Sequence, residues 1–153
     1  MPNKRHERLI PLSHQHHHGL VMSHRLQQDL PKRREDQPAV AALAQEVVEF
    51  FDRDLVLHFA AEEEARSPAM EQYLGELAVI NELLDEHQRR QALISQLRRS
   101  EPGTQTETLH VFAELLRNHI RKEERLLFPL FEENMPESWT ARIGEEIRQR
   151  LKR

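Results

Sequence analysis

Two His–Glu pairs carry the chemistry that can be read directly from the chain: His58 with Glu62 in HFAAE, and His119 with Glu123 in HIRKE. On an α-helix, residues four apart leave from one face, about 6 Å apart along the axis. An imidazole nitrogen and a carboxylate oxygen at that spacing are ligands for a divalent or trivalent metal ion, and two such pairs suit two ions with carboxylates between them. His87, in LDEHQ, adds a third imidazole. One exposed pair alone is a weak surface contact, worth about 0.3 kcal/mol. Two pairs and a further histidine on inward faces point to metal instead, because an interior carboxylate needs a compensating charge.

The inward faces follow from helical periodicity. Val47, Phe51, Leu55, His58 and Glu62 form one seam; Leu77, Ile80, Leu84, His87, Gln91 and Ile94 a second; Leu109, Phe112, Leu116, His119, Glu123 and Leu126 a third. Each seam is apolar with a polar middle. Pro31 with KRREDQP, RSPAM around Pro68, SEPGT around Pro102 and Gly103, and NMPES around Pro136 read as breaks. They leave helices over 13–30, 38–65, 69–99, 105–134 and 138–151, with Ser13 and Ser138 near helix starts. The expected fold is all-α: an antiparallel up-down four-helix bundle over 12–135, an N-terminal extension over 1–11 and a short C-terminal helix over 136–153. Trp139 and Ile143 are expected to cap the bundle end. No internal repeat or low-complexity segment is present.

Composition supports this reading. The chain has 153 residues, 38% hydrophobic and 31% charged, with a mean hydropathy of −0.75, which suits amphipathic helices with one wet face. Cysteine is absent, which excludes disulfides, thiolate zinc sites and iron–sulfur clusters. Net charge is −4 and the basic residues are interleaved with acids, so nucleic acid is not expected as a partner. No apolar run suits a signal peptide or a membrane span, so a cytoplasmic protein, a monomer or homodimer, is expected. Ten histidines exceed what a solvated surface needs.

The strings HFAAE, LDEHQ and HIRKEERLLFP, in that order, resemble the hemerythrin-like (HHE cation-binding) family: a His on the first helix, HxxxE on the second, a lone His on the third and HxxxE on the fourth. The resemblance runs from about residue 12 to 131. It implies a non-heme di-iron centre, two iron ions bridged by Glu62 and Glu123, with His58, His87 and His119 as terminal ligands. The first-helix ligand is His16 or His17. His17 shares a face with Leu20, Val21 and His24, while His16 stands four residues after Leu12. His24 is a candidate extra ligand, and His14 and His18 read as solvated, as do His6, His110, Glu63, Glu64 and Glu124. Hemerythrin itself has a second His four residues after the third-helix His, where this chain has Gln91; the seam places Gln91 inward.

No general base, nucleophile or phosphate loop is visible apart from the metal ligands, so any catalysis would be metal-centred. The expected function is binding or sensing of a small diatomic ligand, oxygen or nitric oxide. The alternative is a di-iron redox enzyme or an iron-handling or repair protein.

Overall fold

The computed structural model describes residues 5–33, 36–99 and 105–152. Among these residues every regular element is helical: a 3-10 turn Glu7–Leu9, α1 Ile10–Arg33, α2 Gln37–Phe50, α3 Val56–Ala61, α4 Ser67–Leu74, α5 Ala78–Arg98, α6 Gln105–Lys122, α7 Phe128–Asn134 and α8 Glu137–Leu151. Three π turns, Phe51–Leu55, Glu62–Arg66 and Glu123–Leu127, join α2 to α3, α3 to α4 and α6 to α7 without a break. Four long rods result, and cross-helix contacts give their directions. From residue 5 to residue 23, α1 and its lead-in meet Glu132, Glu124 and Ala113 in turn, so the first and fourth rods are antiparallel. Contacts of Gln15 with His58 and Arg25 with Glu46, of Asp52 with Arg98 and Glu63 with His87, and of Arg90 with His119 and Gln96 with Thr108 set the other neighbours antiparallel too. This is the expected up-down bundle.

Several local expectations are corrected. The chain does not break at Pro68: proline at the second position of α4 is compatible with a helix, and the π turn before it absorbs the missing N–H. The second rod instead ends at Gly75, whose φ of 87° lies in the left-handed region that glycine enters freely. Pro31 lies inside α1, which continues to Arg33. Ser13 is no cap, since α1 already starts at Ile10; its hydroxyl donates to Glu124 Oε2 at 2.6 Å. The break expected around Pro102 and Gly103 lies outside the described residues.

Two apolar clusters fill the bundle. One contains Leu26, Val47, Leu55, Phe59, Phe112 and Leu116; the other contains Leu12, Ala65, Leu83, Leu127, Phe131 and Ile143. Fully burying each large side chain contributes about 2 kcal/mol. Helix α8 lies along α3 and the turn Glu62–Arg66, inserting Ile143 and Ile147 with no exposed surface, while Trp139 is half-buried. Between the two clusters runs one polar layer, at His16, His58, Glu62, His87, Arg90, His119 and Glu123. One turn from His16, Gly19 of α1 packs against side chains of α6, where a Cβ would stand 2.8 Å from the Ile120 Cδ1 methyl.

Candidate metal centre

The i, i+4 pairs project inward as their spacing requires, and all of their side chains are buried. His58 and His119 are 3% and 1% exposed, and Glu62 and Glu123 are 0% exposed. His87 enters from α5 and His16 from α1. Two overlapping groups form, in each of which the potential ligand atoms lie within 4.8 Å of one another: His16, His58, Glu62 and Glu123, and Glu62, His87 and His119. Glu62 belongs to both.

The structure separates the two first-helix candidates. The inward face of α1 runs through Leu12, His16, Gly19, Ser23, Leu26 and Leu30, so His16 is buried, whereas His17 is exposed, as are His24 and Val21. His17, Val21 and His24 look outward, with Leu20 partly buried at the edge of the core, because α1 presents its small residues, Gly19 and Ser23, to α6, where Ser23 Oγ donates to the Ala113 carbonyl at 2.7 Å. His14 and His18 are exposed, as read, and so is His110. His6 is half-buried rather than a free surface residue: its Nδ1 accepts the Arg8 N–H at 3.0 Å and its ring meets Phe131 edge-on.

Gln91 does not face inward; it is exposed, and Arg90 takes the buried position. From His87 a step of three and a step of four both stay near the inward direction. The guanidinium decides the matter by lying over the Phe59 ring at 4.4 Å and reaching His119 Nδ1 at 3.0 Å. A one-residue shift in the opposite direction occurs after Glu123, where the π turn exposes Leu126 and buries Leu127.

Each Nδ1 has an oxygen atom on its outer side, and His119 Nδ1 also has Arg90 Nη2. His16 Nδ1 lies 2.9 Å from Glu124 Oε2, His58 Nδ1 2.7 Å from Gln15 Oε1, His87 Nδ1 2.7 Å from Glu63 Oε1 and His119 Nδ1 3.0 Å from Glu86 Oε1. At His16, His58 and His87 an oxygen at Nδ1 favours the proton there, which leaves Nε2 as a lone pair; His119 Nδ1 also meets Arg90 Nη2, a donor, and its Nε2 lies 3.2 Å from His87 Nε2. Those Nε2 atoms turn toward Glu62 and Glu123: His58 Nε2 is 2.9 Å from Glu62 Oε1, and His119 Nε2 is 2.7 Å from Glu123 Oε1. Despite the short separations, neither contact has hydrogen-bond directionality. Glu62 Oε1, Glu123 Oε1 and His16 Nε2 are all buried without a hydrogen-bond partner. Buried carboxylate oxygens and an imidazole nitrogen without partners, converging with the other imidazoles on common points, fit a metal ion.

Protonation agrees with that fit. Burial pushes the His58 imidazolium down to about 4, against the pull of Glu62, and burial followed by the charge of Arg90 holds His119 well below the usual histidine range. For Glu62, burial opposes the charge, but Arg66 and then His58 outweigh it and hold the carboxyl well below its ordinary value. Neutral imidazoles and ionised carboxylates are the ligand forms that metals bind.

Reading the sequence did not single out Arg66, Arg90, Gln15 or Glu86, and it left Glu63 and Glu124 to solvent. Glu63 and Glu124 keep exposed edges of 40% and 29% but turn an oxygen to a histidine, and Glu64 pairs with Arg150 at 3.0 Å. The usable signal was positional, since each acid directly follows an inward glutamate. Arg66 is 1% exposed; its Nη1 donates to Glu62 Oε2 at 2.5 Å and also contacts Glu123 Oε2. From outside the bundle, Arg5 Nη1 donates to Glu132 Oε1 at 2.7 Å and its Nη2 lies 3.4 Å from Glu124 Oε1.

The hemerythrin HHE cation-binding domain matches residues 9–131. This chain belongs to that family. The hemerythrin-like chain is also 28% identical over 109 residues to a DNA nickase from Nostoc sp. (strain PCC 7120 / SAG 25.82 / UTEX 2576), a match covering 68% of this chain and 31% of that protein. It therefore spans about a third of the length of this curated relative. No solved structure matches it. Family membership and the buried His–Glu cluster together make this a metal-binding site. Among the described residues, no helix is long and apolar enough to cross a membrane.

Proposed function

We propose that this hemerythrin-like chain holds two iron ions, one among His16, His58, Glu62 and Glu123 and the other among Glu62, His87 and His119, and that it binds or senses a small diatomic ligand, oxygen or nitric oxide, beside them. The observation that carries the reading is the arrangement of the four imidazoles. Every Nδ1 has an oxygen partner on its outer side, and every Nε2 faces a layer in which two carboxylate oxygens have no hydrogen-bond partner. Imidazole nitrogen with carboxylate oxygen is a donor set suited to iron. Iron supplies the redox-active, open coordination position that such a ligand requires.

This chain's own residues shape what reaches that position. A cavity with about 10 Å³ of room for a water-sized group adjoins the cluster, lined by Gln15, Gly19, Leu55, Phe59, Arg90 and Ile120 along with ligand histidines. That volume admits a group of about the size of one water molecule. Arg90 keeps Nε and Nη1 without hydrogen-bond partners, so it offers donors to a ligand that gains negative charge. The nicking of DNA for which the relative is named does not extend to this reading. The match covers 31% of that protein, and His58, Glu62, His87, His119 and Glu123 lie too deep for a nucleic-acid backbone.

Loading the protein with iron(II) under anaerobic conditions and recording its spectrum during cycles of oxygen exposure and removal tests the proposal. A band that appears with oxygen and disappears on its removal is the expected result, with nitric oxide giving a distinct band. Irreversible oxidation with turnover of peroxide or nitric oxide would replace the binding reading with the redox-enzyme reading. Loss of the iron to a mild acceptor protein would favour iron handling.

A further inference from the structure

The outer oxygens of the two inward carboxylates are already engaged. Arg66, four residues after Glu62 and inside the same π turn, places one nitrogen, Nη1, on both Glu62 Oε2 and Glu123 Oε2, while Nη2 donates to Ser67 Oγ at 3.2 Å. The inner oxygens, Glu62 Oε1 and Glu123 Oε1, face the histidines. A carboxylate that spans two ions gives one oxygen to each, so with Arg66 in place each glutamate presents a single oxygen to the layer. The two groups of ligand atoms are also unequal: four residues converge around His16 and His58, and three around His87 and His119.

Charge acts in the same direction. Glu62 and Glu123 carry −2 within the buried layer, and Arg66 and Arg90, both buried, carry +2. The layer is thus neutral before any metal enters, and a second divalent ion would meet the charge of the first with no buried anion left to offset it. The half-buried outer charges do not produce this inequality, since they leave more negative charge at the second position. Glu124 stands at the first, paired with Arg5, while Glu63 and Glu86 stand at the second, where Lys122 pairs with Glu86 at 2.7 Å.

We propose that Arg66 is a tethered cation that makes the two metal positions unequal, with one ion held firmly by His16, His58, Glu62 and Glu123 and the second held weakly and exchangeably at His87 and His119. This rests on the reading of the cluster as a metal centre. Arg66 touches neither histidine of the second position. It acts by withholding carboxylate oxygens and by its charge.

Anaerobic titration of the metal-stripped protein with cobalt(II), followed by absorption and calorimetry, tests this. The wild type is expected to take up one ion and then a second that binds roughly ten-fold or more weakly. Arg66→Leu, which installs the residue type found at 127, should tighten the second step by roughly ten-fold or more and close the gap, whereas Arg66→Lys should keep it. Two coincident steps in the wild type, or a gap unchanged in Arg66→Leu, would overturn the role of Arg66. If Arg66→Leu does not fold, Arg66→Gln, which keeps a hydrogen-bond donor but no charge, takes its place: a narrowed gap is expected, and an unchanged one would overturn the role of Arg66. Wild-type protein that takes up no cobalt overturns the metal-centre reading itself, so the two failures are distinguishable.

Discussion

The turns His58–Pro68 and His119–Pro129 carry the same residues at the same places: His, then Glu four later, another Glu directly after, and Pro ten after the His. Both adopt a π turn that begins at the inward glutamate. Yet the side chain four residues beyond that glutamate is Arg66 in one and Leu127 in the other, each fully buried. Leu127 joins the apolar cluster, while Arg66 turns back onto both carboxylates. One backbone solution therefore serves two purposes. The turn at 119–129 anchors the layer to the core, and the turn at 58–68 sets its charge.

Removing the carboxylates one at a time tests this asymmetry most strongly. Glu62 belongs to both groups and Glu123 to one. Glu62→Ala should bind neither ion, whereas Glu123→Ala should still take up one ion at His87 and His119, as read by anaerobic titration with cobalt(II). Glu62→Ala also leaves Arg66 with half of its anionic partners and should destabilise the protein by about 4 kcal/mol. Equal metal contents in the two variants would break the comparison.

Truncating the anchor comes next. Leu127→Ala opens a cavity in the cluster around Phe128 and Phe131 and should cost about 3 kcal/mol in chemical denaturation, with the number of bound ions unchanged. A loss of metal larger than the loss of stability would mean that the two turns divide their tasks differently.

Acidification probes the histidine side of the layer in metal-free protein. The folded value for His58 is about 4, against 6.5 for the unfolded chain, so the unfolded state binds more protons between these limits. Stability is then highest above the unfolded value and falls as pH drops toward 4, by about 3 kcal/mol in total. Glu62, held well below 4.5 in the fold, adds a loss of the same sign at lower pH. Denaturation midpoints that stay flat from about pH 7 to about pH 4 would contradict this.

The smallest effect is expected at Gln91. It is exposed, so Gln91→His should leave metal content, ligand affinity and melting temperature unchanged, while Arg90→Met should weaken the binding of an anionic probe such as azide. A change in azide affinity in Gln91→His would return this residue to the layer.

The inward faces of His58, Glu62, His119 and Glu123 were legible because i, i+4 spacing on a helix fixes them locally. His16 against His17 was not: they differ by one step around α1, and small residues at 19 and 23, rather than apolar ones, mark the side that meets α6. Arg90 and Arg66 escaped notice because arginine reads as surface, and only the tertiary presence of Phe59 and of two carboxylates makes their burial favourable. The π turns left a trace in Pro68 and Pro129, each lacking an N–H for the preceding turn, but at Pro68 that trace reads equally well as a chain break.

Arg5 lies 3.4 Å from one oxygen of Glu124, whose other oxygen lies 2.9 Å from His16. The start of the described chain is thus two contacts away from the buried layer. A purification tag or fusion partner that displaced Arg5 would not be a neutral handle, because it would strip one oxygen of Glu124 of its cation and leave Ser13 alone to hold the other against His16. Samples meant for measuring affinities are better tagged behind α8 or cleaved.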